Sequence, residues 1–147
     1  MKEELSKKLR ESYPDLFKDG CSLEIGDGWF GIIDTLSYGI ELHLKNLRST
    51  NDWHVKNNNK MKCVAIPTNV RYNQIKEKFG TLRVYMGDND DYINGMTHMA
   101  EAISGVICEE CGSPGTRRNG SWIRTLCNQH FVAGALNAPD EFMDDAK

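Results

Sequence analysis

"CEECGSPGTRRNGSWIRTLCNQH", residues 108–130, contains two pairs of metal-binding residues, with two residues inside each pair and fifteen between the pairs. A gap of two residues lets both side chains of one tight turn reach the same ion, and Gly112 suits the positive-φ conformation that such a turn needs. Thiolates are soft ligands that favour Zn²⁺. The spacing therefore predicts a zinc site formed by Cys108, Cys111, Cys127 and His130.

Four protein ligands predict a structural zinc ion, because a catalytic zinc ion keeps one position open for water or substrate. Binding of a structural ion contributes about 10–16 kcal/mol, which is comparable to the stability of a whole domain of this size. We therefore expect a zinc knuckle over 106–133 to brace the last third of the chain. Two alternatives use the same residues: four reduced side chains without an ion, and a disulfide between Cys108 and Cys111, which suits the cytosol poorly.

Two long helices are predicted upstream of the zinc motif. Apolar residues recur in steps of three and four over 27–48 and again over 91–104. Asp27 is placed to cap the first helix and Asp90 or Asp91 the second, since a carboxylate at the N-cap accepts hydrogen bonds from the first free amides.

Between these helices, the sequence changes character twice. The polar, asparagine-rich residues 49–62 predict a long exposed loop. β-Branched and aromatic residues over 63–86 predict strands, with a hairpin turn near Gly80. The predicted fold class is α+β: a small antiparallel sheet packed by two main helices, with a C-terminal zinc knuckle or ribbon-like element.

The chain length of 147 residues suits a single domain with one hydrophobic core. The predicted organisation is an N-terminal helical segment (1–20), an α+β core (21–105), the zinc knuckle (106–133) and an acidic tail (134–147). No apolar run approaches the ~20 residues that span a bilayer. Five cysteines, an odd number, argue against a secreted disulfide framework. We therefore expect an intracellular protein that does not associate with membranes.

A glycine pattern, G-x-G-x-x-G, is formed by Gly26, Gly28 and Gly31. A dinucleotide fingerprint also needs a buried strand before the glycines and a second strand ending in an acidic residue about 20 residues on. Here the predicted helix runs into a polar loop that contains Asp52, and not into a strand. We interpret the glycines as allowing Trp29 and the start of the helix to approach the sheet closely.

Charge is distributed unevenly along a chain whose net charge is −3. Residues 45–83 carry nine basic and two acidic side chains, whereas the flanking segments are acidic. Basic side chains beside aromatic ones can contact phosphates and stack bases. The alternative is a solvated basic face that is balanced by acidic neighbours in the fold. The candidate phosphate contacts are Lys76, Lys78 and Arg83 on the hairpin, and Arg117 and Arg118 between the two halves of the zinc site.

An enzyme is the third functional class that we consider. Asp27 and Asp34 are seven residues apart and could share one helix face, and His43 follows on the same helix, so a hydrolase of unknown substrate is one hypothesis. Each of the two aspartates also has a capping or solvent role available to it. We predict no catalytic residues and expect a protein that is not an enzyme.

Four stretches of the chain resemble a family of small uncharacterised proteins from tailed bacteriophages and prophages. They are "IGDGWFGIIDTL", "QIKEKFGTLRVY", "YINGMTHMAEAIS" and the zinc motif, and together they span most of residues 22–130. The resemblance implies a phage accessory protein made in the cytoplasm of a bacterial host. It implies no established activity.

The expected function is binding without catalysis, in a protein stabilised by zinc. The preferred target is nucleic acid, or a complex assembled on nucleic acid, because of the basic 45–83 segment. The alternative is a counter-defence protein that binds a host protein or a small nucleotide-like signal. That alternative rests on the phage resemblance alone.

Overall fold

The computed structural model describes residues 1–120 and 122–136 and combines helices with small sheets, which confirms the α+β class. The predicted acidic tail beyond Leu136 lies outside the described residues. None of the described helices has the length and apolar character needed to cross a bilayer.

The N-terminal segment forms helix α1 (Glu3–Ser12) and a compact turn that follows it. Leu9, Leu16 and Phe17 from this segment are buried in the core. The carbonyl of Leu16 accepts a hydrogen bond of 2.7 Å from the amide of Tyr72, which fixes the turn against the sheet.

The main sheet is mixed and not wholly antiparallel. Its strands are β1 (Ser22–Glu24), β2 (Tyr72–Lys78) and β3 (Thr81–Met86), in the order β1-β2-β3. β2 and β3 form the predicted antiparallel hairpin, whereas β1 pairs with β2 in parallel. A strand of three residues carries too little periodicity to predict which neighbour it pairs with.

Helix α2 (Phe30–Lys56) has 27 residues and is longer than predicted. The prediction of a loop over 49–62 was wrong for residues 49–56, which belong to α2. Buried residues on α2 end at Leu44, so the last three turns project beyond the core and have no apolar stripe for a pattern to detect. Asn51 stabilises this part by accepting from the amide of Val64 at 3.0 Å and donating to its carbonyl at 2.8 Å.

Asp27 does not cap α2, which corrects the predicted N-cap. It begins a short 3₁₀ turn, Asp27–Trp29, and the helix starts one residue after that turn. The carboxylate of Asp27 instead accepts from the amide of Lys2 at 2.7 Å and pairs with the Lys2 ammonium at 3.2 Å. It therefore joins the N-terminus of the chain to the start of α2.

The hairpin turns at Phe79 and Gly80, which both have positive φ angles, of 54° and 78°. This pattern is that of a type I′ turn, which matches the twist of the flanking strands. Ile75 and Leu82 face the core, whereas Lys76, Lys78 and Arg83 lie on the opposite face, and Lys76 and Arg83 are directly paired across the strands.

Helix α3 (Asp91–Ser104) has the predicted bounds and packs against β3 and α2. Asp90 is its N-cap, and its carboxylate accepts from the amide of Ile93 at 2.9 Å. After α3 the chain forms a second, two-stranded sheet from β4 (Thr116–Arg118) and β5 (Arg124–Leu126). Helix α4 (Asn128–Leu136) follows and extends into the segment predicted as tail.

Candidate metal centre

The four predicted metal ligands come from two local structures. Cys108 and Cys111 lie in a tight turn after α3, in which the amide of Gly112 donates to the Cys108 carbonyl at 2.9 Å. Gly112 has the predicted positive φ, of 77°. Cys127 directly follows β5, and His130 lies in the first turn of α4. The short β4–β5 hairpin thus returns the chain to the first pair.

The ligand atoms of these four residues all lie within 4.8 Å of one another, so the cluster could hold one metal ion. The Cys111 and Cys127 sulfurs are 3.9 Å apart, and His130 Nδ1 is 3.6 Å from the Cys108 sulfur and 3.2 Å from that of Cys127. Metal–sulfur bonds of about 2.3 Å and metal–nitrogen bonds of about 2.0 Å in a tetrahedron would give separations of about 3.5–3.8 Å. These three separations are therefore close to those that an ion would impose.

The three cysteines of the cluster are free thiols, so the disulfide alternative between Cys108 and Cys111 is not what the structure has. Hydrogen bonds from the side chain and amide of Ser113 lower the pKa of Cys111 to about 6. The amide of His130 lowers the pKa of Cys127, whereas burial raises the pKa of Cys108. Two of the three sulfurs are thus held toward the thiolate form, the form that binds metal.

The cluster belongs to a metal module, defined here as residues 107–130, that is bound to the start of α2. The amide of Gly28 donates to the Glu109 carbonyl at 2.7 Å, and the amide of Gly26 donates to the Glu109 carboxylate at 3.2 Å. The indole N–H of the fully buried Trp29 donates to the Ile107 carbonyl at 2.9 Å. The start of α2 therefore recognises the backbone of the metal-binding turn.

Gly28 is required by this contact. A Cβ at that position would lie closer than 3.0 Å to backbone atoms of Cys108, Cys111 and Gly112. Gly26 and Gly28 thus allow close approach, as predicted, but to the metal module and not to the sheet, whereas Gly31 faces open space. Residues 83 positions apart meet here, as the bond between Gly26 and Glu109 illustrates.

The prediction that the helix after the glycines is not followed by a strand was wrong. α2 does lead to a strand, β2, that is parallel to β1, so a βαβ unit is present. The conclusion is unchanged, because the turn from Cys108 to Gly112 fills the space beside Gly28 that a pyrophosphate would need.

A second contact joins the metal module to the β2–β3 hairpin. The Thr125 hydroxyl is fully buried and donates to the Gly80 carbonyl at 2.6 Å. Arg124 pairs with Glu109 at 3.3 Å and also with Glu110. Burial raises the pKa of Glu109, and the charge of Arg124 opposes that rise.

The predicted phosphate contacts separate into two groups. Arg118 is engaged within the module: its guanidinium lies 4.6 Å from the Phe131 ring and donates to the Asn128 side chain at 2.6 Å. Arg117 instead lies against the hairpin turn, its Cγ 3.4 Å from where a Cβ of Gly80 would be. The structure therefore brings Arg117 to the same end of the molecule as Lys78.

Two exposed aromatic residues lie at this end, and neither was among the predicted contact residues. Phe79 is 59% exposed at the hairpin turn, and Trp122 is 71% exposed in the module. Both line a recess of about 330 Å³, together with Lys78. A signal for Phe79 was present, since phenylalanine precedes glycine where a type I′ turn favours asparagine or aspartate.

The basic 45–83 segment does not form one surface. Lys45 and Arg48 line a cleft beside α2, and Arg71 pairs with Asp19 at 3.1 Å. Lys56 lies at the C-terminal end of α2, beyond the last buried residue of that helix, Leu44. The sequence count of nine basic residues therefore overstates the charge available to any single partner.

The residues of the hydrolase hypothesis have three different partners. Asp27 is bound to Lys2, Asp34 accepts from the Tyr13 hydroxyl at 3.0 Å, and His43 is bonded to Asp90 at 2.7 Å. Asp34 and His43 are nine residues apart on α2, or about 14 Å along the helix axis. The three side chains therefore act as separate structural links.

Comparison of the chain with protein-family models, curated proteins and solved structures found no match. The resemblance to phage proteins stays a prediction.

Proposed function

We propose that the protein is a zinc-stabilised, non-enzymatic protein that binds single-stranded nucleic acid, alone or within a nucleoprotein complex. The binding region is a tip surface formed by Lys78, Phe79, Arg117 and Trp122, where the β2–β3 hairpin meets the metal module. Exposed aromatic rings on which bases stack, next to cations that contact phosphates, are the usual elements of such binding.

The conformation of Phe79 is the observation that carries this proposal. A phenylalanine in the left-handed region, here with φ of 54°, costs about 1–2 kcal/mol relative to residues that favour it. Its ring is 59% exposed, so the cost is not recovered by burial in the core. Strained residues of this kind are concentrated at functional sites, and an exposed ring offers a stacking platform.

The basic residues extend from the tip surface along the open face of the hairpin. The Lys78 ammonium lies 5.6 Å from the Phe79 ring, and the Lys76 ammonium lies 5.2 Å from the Tyr85 ring. Arg83 is the cross-strand partner of Lys76. The neighbouring Glu77 is occupied by the turn, since its carboxylate accepts from the Gly80 amide.

The ion in the Cys₃His cluster is zinc, and its role is structural. Three sulfurs and one imidazole nitrogen select a soft, four-coordinate ion, and four protein ligands leave no position for a reacting water. By cross-linking the two halves of the module, the ion holds Arg117 and Trp122 against the hairpin turn.

Fluorescence anisotropy with labelled oligothymidylate and oligouridylate tests this function. Since one stacked base contributes about 1–3 kcal/mol, Phe79→Ala and Trp122→Ala should each weaken binding about 5- to 150-fold. The matched control is Trp53→Ala, which removes an exposed tryptophan from the projecting end of α2 and should leave affinity unchanged. Lys78→Ala should reduce the salt dependence of binding by about 0.7 in log–log slope.

Absence of binding at low salt would refute the nucleic-acid proposal. Binding that responds equally to Trp53→Ala and to Trp122→Ala would refute the tip surface while keeping the ligand. Capture of a host protein that depends on Trp122 would support instead the alternative in which this surface binds protein.

We also propose that the protein acts in the cytoplasm of a bacterial host as a phage or prophage accessory protein. The support is the resemblance of four sequence stretches and no structural observation. Its presence in the soluble fraction of infected or induced cells, detected by mass spectrometry, would test the proposal.

A further inference from the structure

A second surface, remote from the tip surface, also carries charged side chains that form no salt bridge in the described part of the chain. A cleft of about 660 Å³ lies between the exposed face of α2, the turn after α1 and the loop before β2. This size is typical of pockets for small molecules. We propose that this α2 cleft binds a nucleoside phosphate. The cleft lies near the start of β2 and the tip surface near its end, about 20 Å away, so the two proposals are independent.

Three basic side chains converge on the α2 cleft. Lys45 and Arg48 are three residues apart on one face of α2, and Lys18 reaches the cleft from the turn after α1. Among the residues that the structure describes, none of these three forms a salt bridge. Their charges are therefore available to a phosphate group, and Arg48 can bind it in a bidentate manner.

The rest of the cleft suits a nucleoside better than a bare anion. Tyr38 lies on the same face of α2 and is 60% exposed, so its ring can stack on a base. Asp15 and Glu41 supply carboxylates that accept hydrogen bonds from base amino groups or ribose hydroxyls. Burial and the charge of the nearby Asp15 raise the pKa of Glu41.

The walls of the cleft are fixed by hydrogen bonds in which backbone groups of both walls take part. The Leu16 carbonyl accepts from the Tyr72 amide at 2.7 Å, which anchors the turn after α1. The Thr68 amide donates to the Asp88 carboxylate at 2.8 Å, which anchors the loop before β2. A preformed cleft loses little conformational freedom on binding, which favours affinity for a small ligand.

Isothermal titration calorimetry of the full chain with ATP, AMP, adenosine and inorganic phosphate tests the proposal. ATP and AMP should bind at least tenfold more tightly than either adenosine or inorganic phosphate, because only they engage both the cations and Tyr38. The double variant Lys45→Ala/Arg48→Ala should lose at least tenfold in affinity for ATP. Tyr38→Ala should weaken binding, and Tyr38→Phe should restore it.

Lys56→Ala is the matched control, since it removes a lysine from the same helix outside the cleft. Near-ultraviolet circular dichroism should confirm that each variant is folded. The proposal is overturned if no nucleotide binds at millimolar concentration, or if adenosine binds as well as ATP. It is also overturned if ATP affinity falls in Phe79→Ala but not in Lys45→Ala/Arg48→Ala, because the nucleotide would then occupy the tip surface.

Discussion

The metal module and the helical core hold their shapes by different means. The core buries large apolar side chains, including Trp29, Ile40 and Ile75, in one continuous cluster. In the described part of the metal module, the buried residues are Cys108, Glu109, Thr125 and Leu126, of which two are polar. A segment with so little apolar burial cannot offset its own conformational entropy, so it needs an ion or a partner surface.

This difference shows why the start of α2 has its unusual sequence. Gly26, Gly28 and Trp29 provide the partner surface through three hydrogen bonds to Ile107 and Glu109. Without the module, the amides of Gly26 and Gly28 and the indole N–H of Trp29 would lose these partners, which would lower the stability of the core as well. We therefore infer that the module depends on a bound ion for its local shape and on the core for its position, whereas the core contacts the module at this junction and at the hairpin turn.

Of the changes considered, removal of the ion should have the largest effect on the stability of the metal module relative to that of the core. The ion contributes about 10–16 kcal/mol to structural sites of this kind, so a chelator, or Cys127→Ser, should unfold the module. Hydrogen exchange read by mass spectrometry should show lost protection over 107–130 and retained protection in α2 and β2. Elemental analysis should find one zinc ion per chain before chelation.

The control for metal removal is Cys63→Ser, a cysteine outside the cluster that should keep both the ion and the protection. Equal protection with and without the ion would contradict the dependence of the module on metal. Loss of protection throughout α2 and β2 would contradict the independence of the core.

A smaller effect on stability is expected from Gly28→Ala, which disrupts the contact between the start of α2 and the metal-binding turn and changes neither region itself. The new Cβ would overlap backbone atoms of the metal-binding turn, and overpacking of this kind costs about 1–3 kcal/mol or more. Gly31→Ala is the matched control, because no atom beyond the neighbouring turns of its own helix would lie within 4 Å of the added Cβ, and alanine favours a helix by about 1 kcal/mol. The midpoint of thermal unfolding should therefore fall for Gly28→Ala and rise for Gly31→Ala. An unchanged or raised midpoint for Gly28→Ala would show that the junction is not tightly packed.

The core elements that could be predicted from sequence carry local signals. The bounds of α3 follow from Asp90 as the cap and from apolar spacing, and the hairpin follows from Gly80 between strand-like residues. The second half of α2 could not be predicted, because a solvated helix needs no apolar stripe. The three-residue strand β1 could not be placed either, since its parallel partner lies about 50 residues further along the chain, as the pair Leu23 and Ile75 shows.

The same distinction applies to the candidate site. The four ligands could be predicted because two-residue spacings fix local geometry, whatever the rest of the fold does. The roles of Gly26 and Gly28 could not, because their partner Glu109 lies in a distant part of the chain. Phe79 is intermediate: its position before Gly80 was visible, but its pairing with Trp122 across one recess required the tertiary structure.

The smallest effect is expected from Phe79→Asn, at the point where the hairpin of the core meets the metal module. Asparagine tolerates positive φ, so relief of strain should outweigh the lost contact with Lys78 and raise the free energy of unfolding by about 0.5–1 kcal/mol. Phe79→Ala removes the same ring without providing a residue that favours this conformation, so it should not stabilise the protein. Chemical denaturation measures the stabilities, and oligonucleotide anisotropy should show weakened binding in both variants. Stability should therefore rise while binding weakens in Phe79→Asn alone. If Phe79→Asn is stabilised and still binds the oligonucleotide fully, the strained conformation of Phe79 does not contribute to ligand binding.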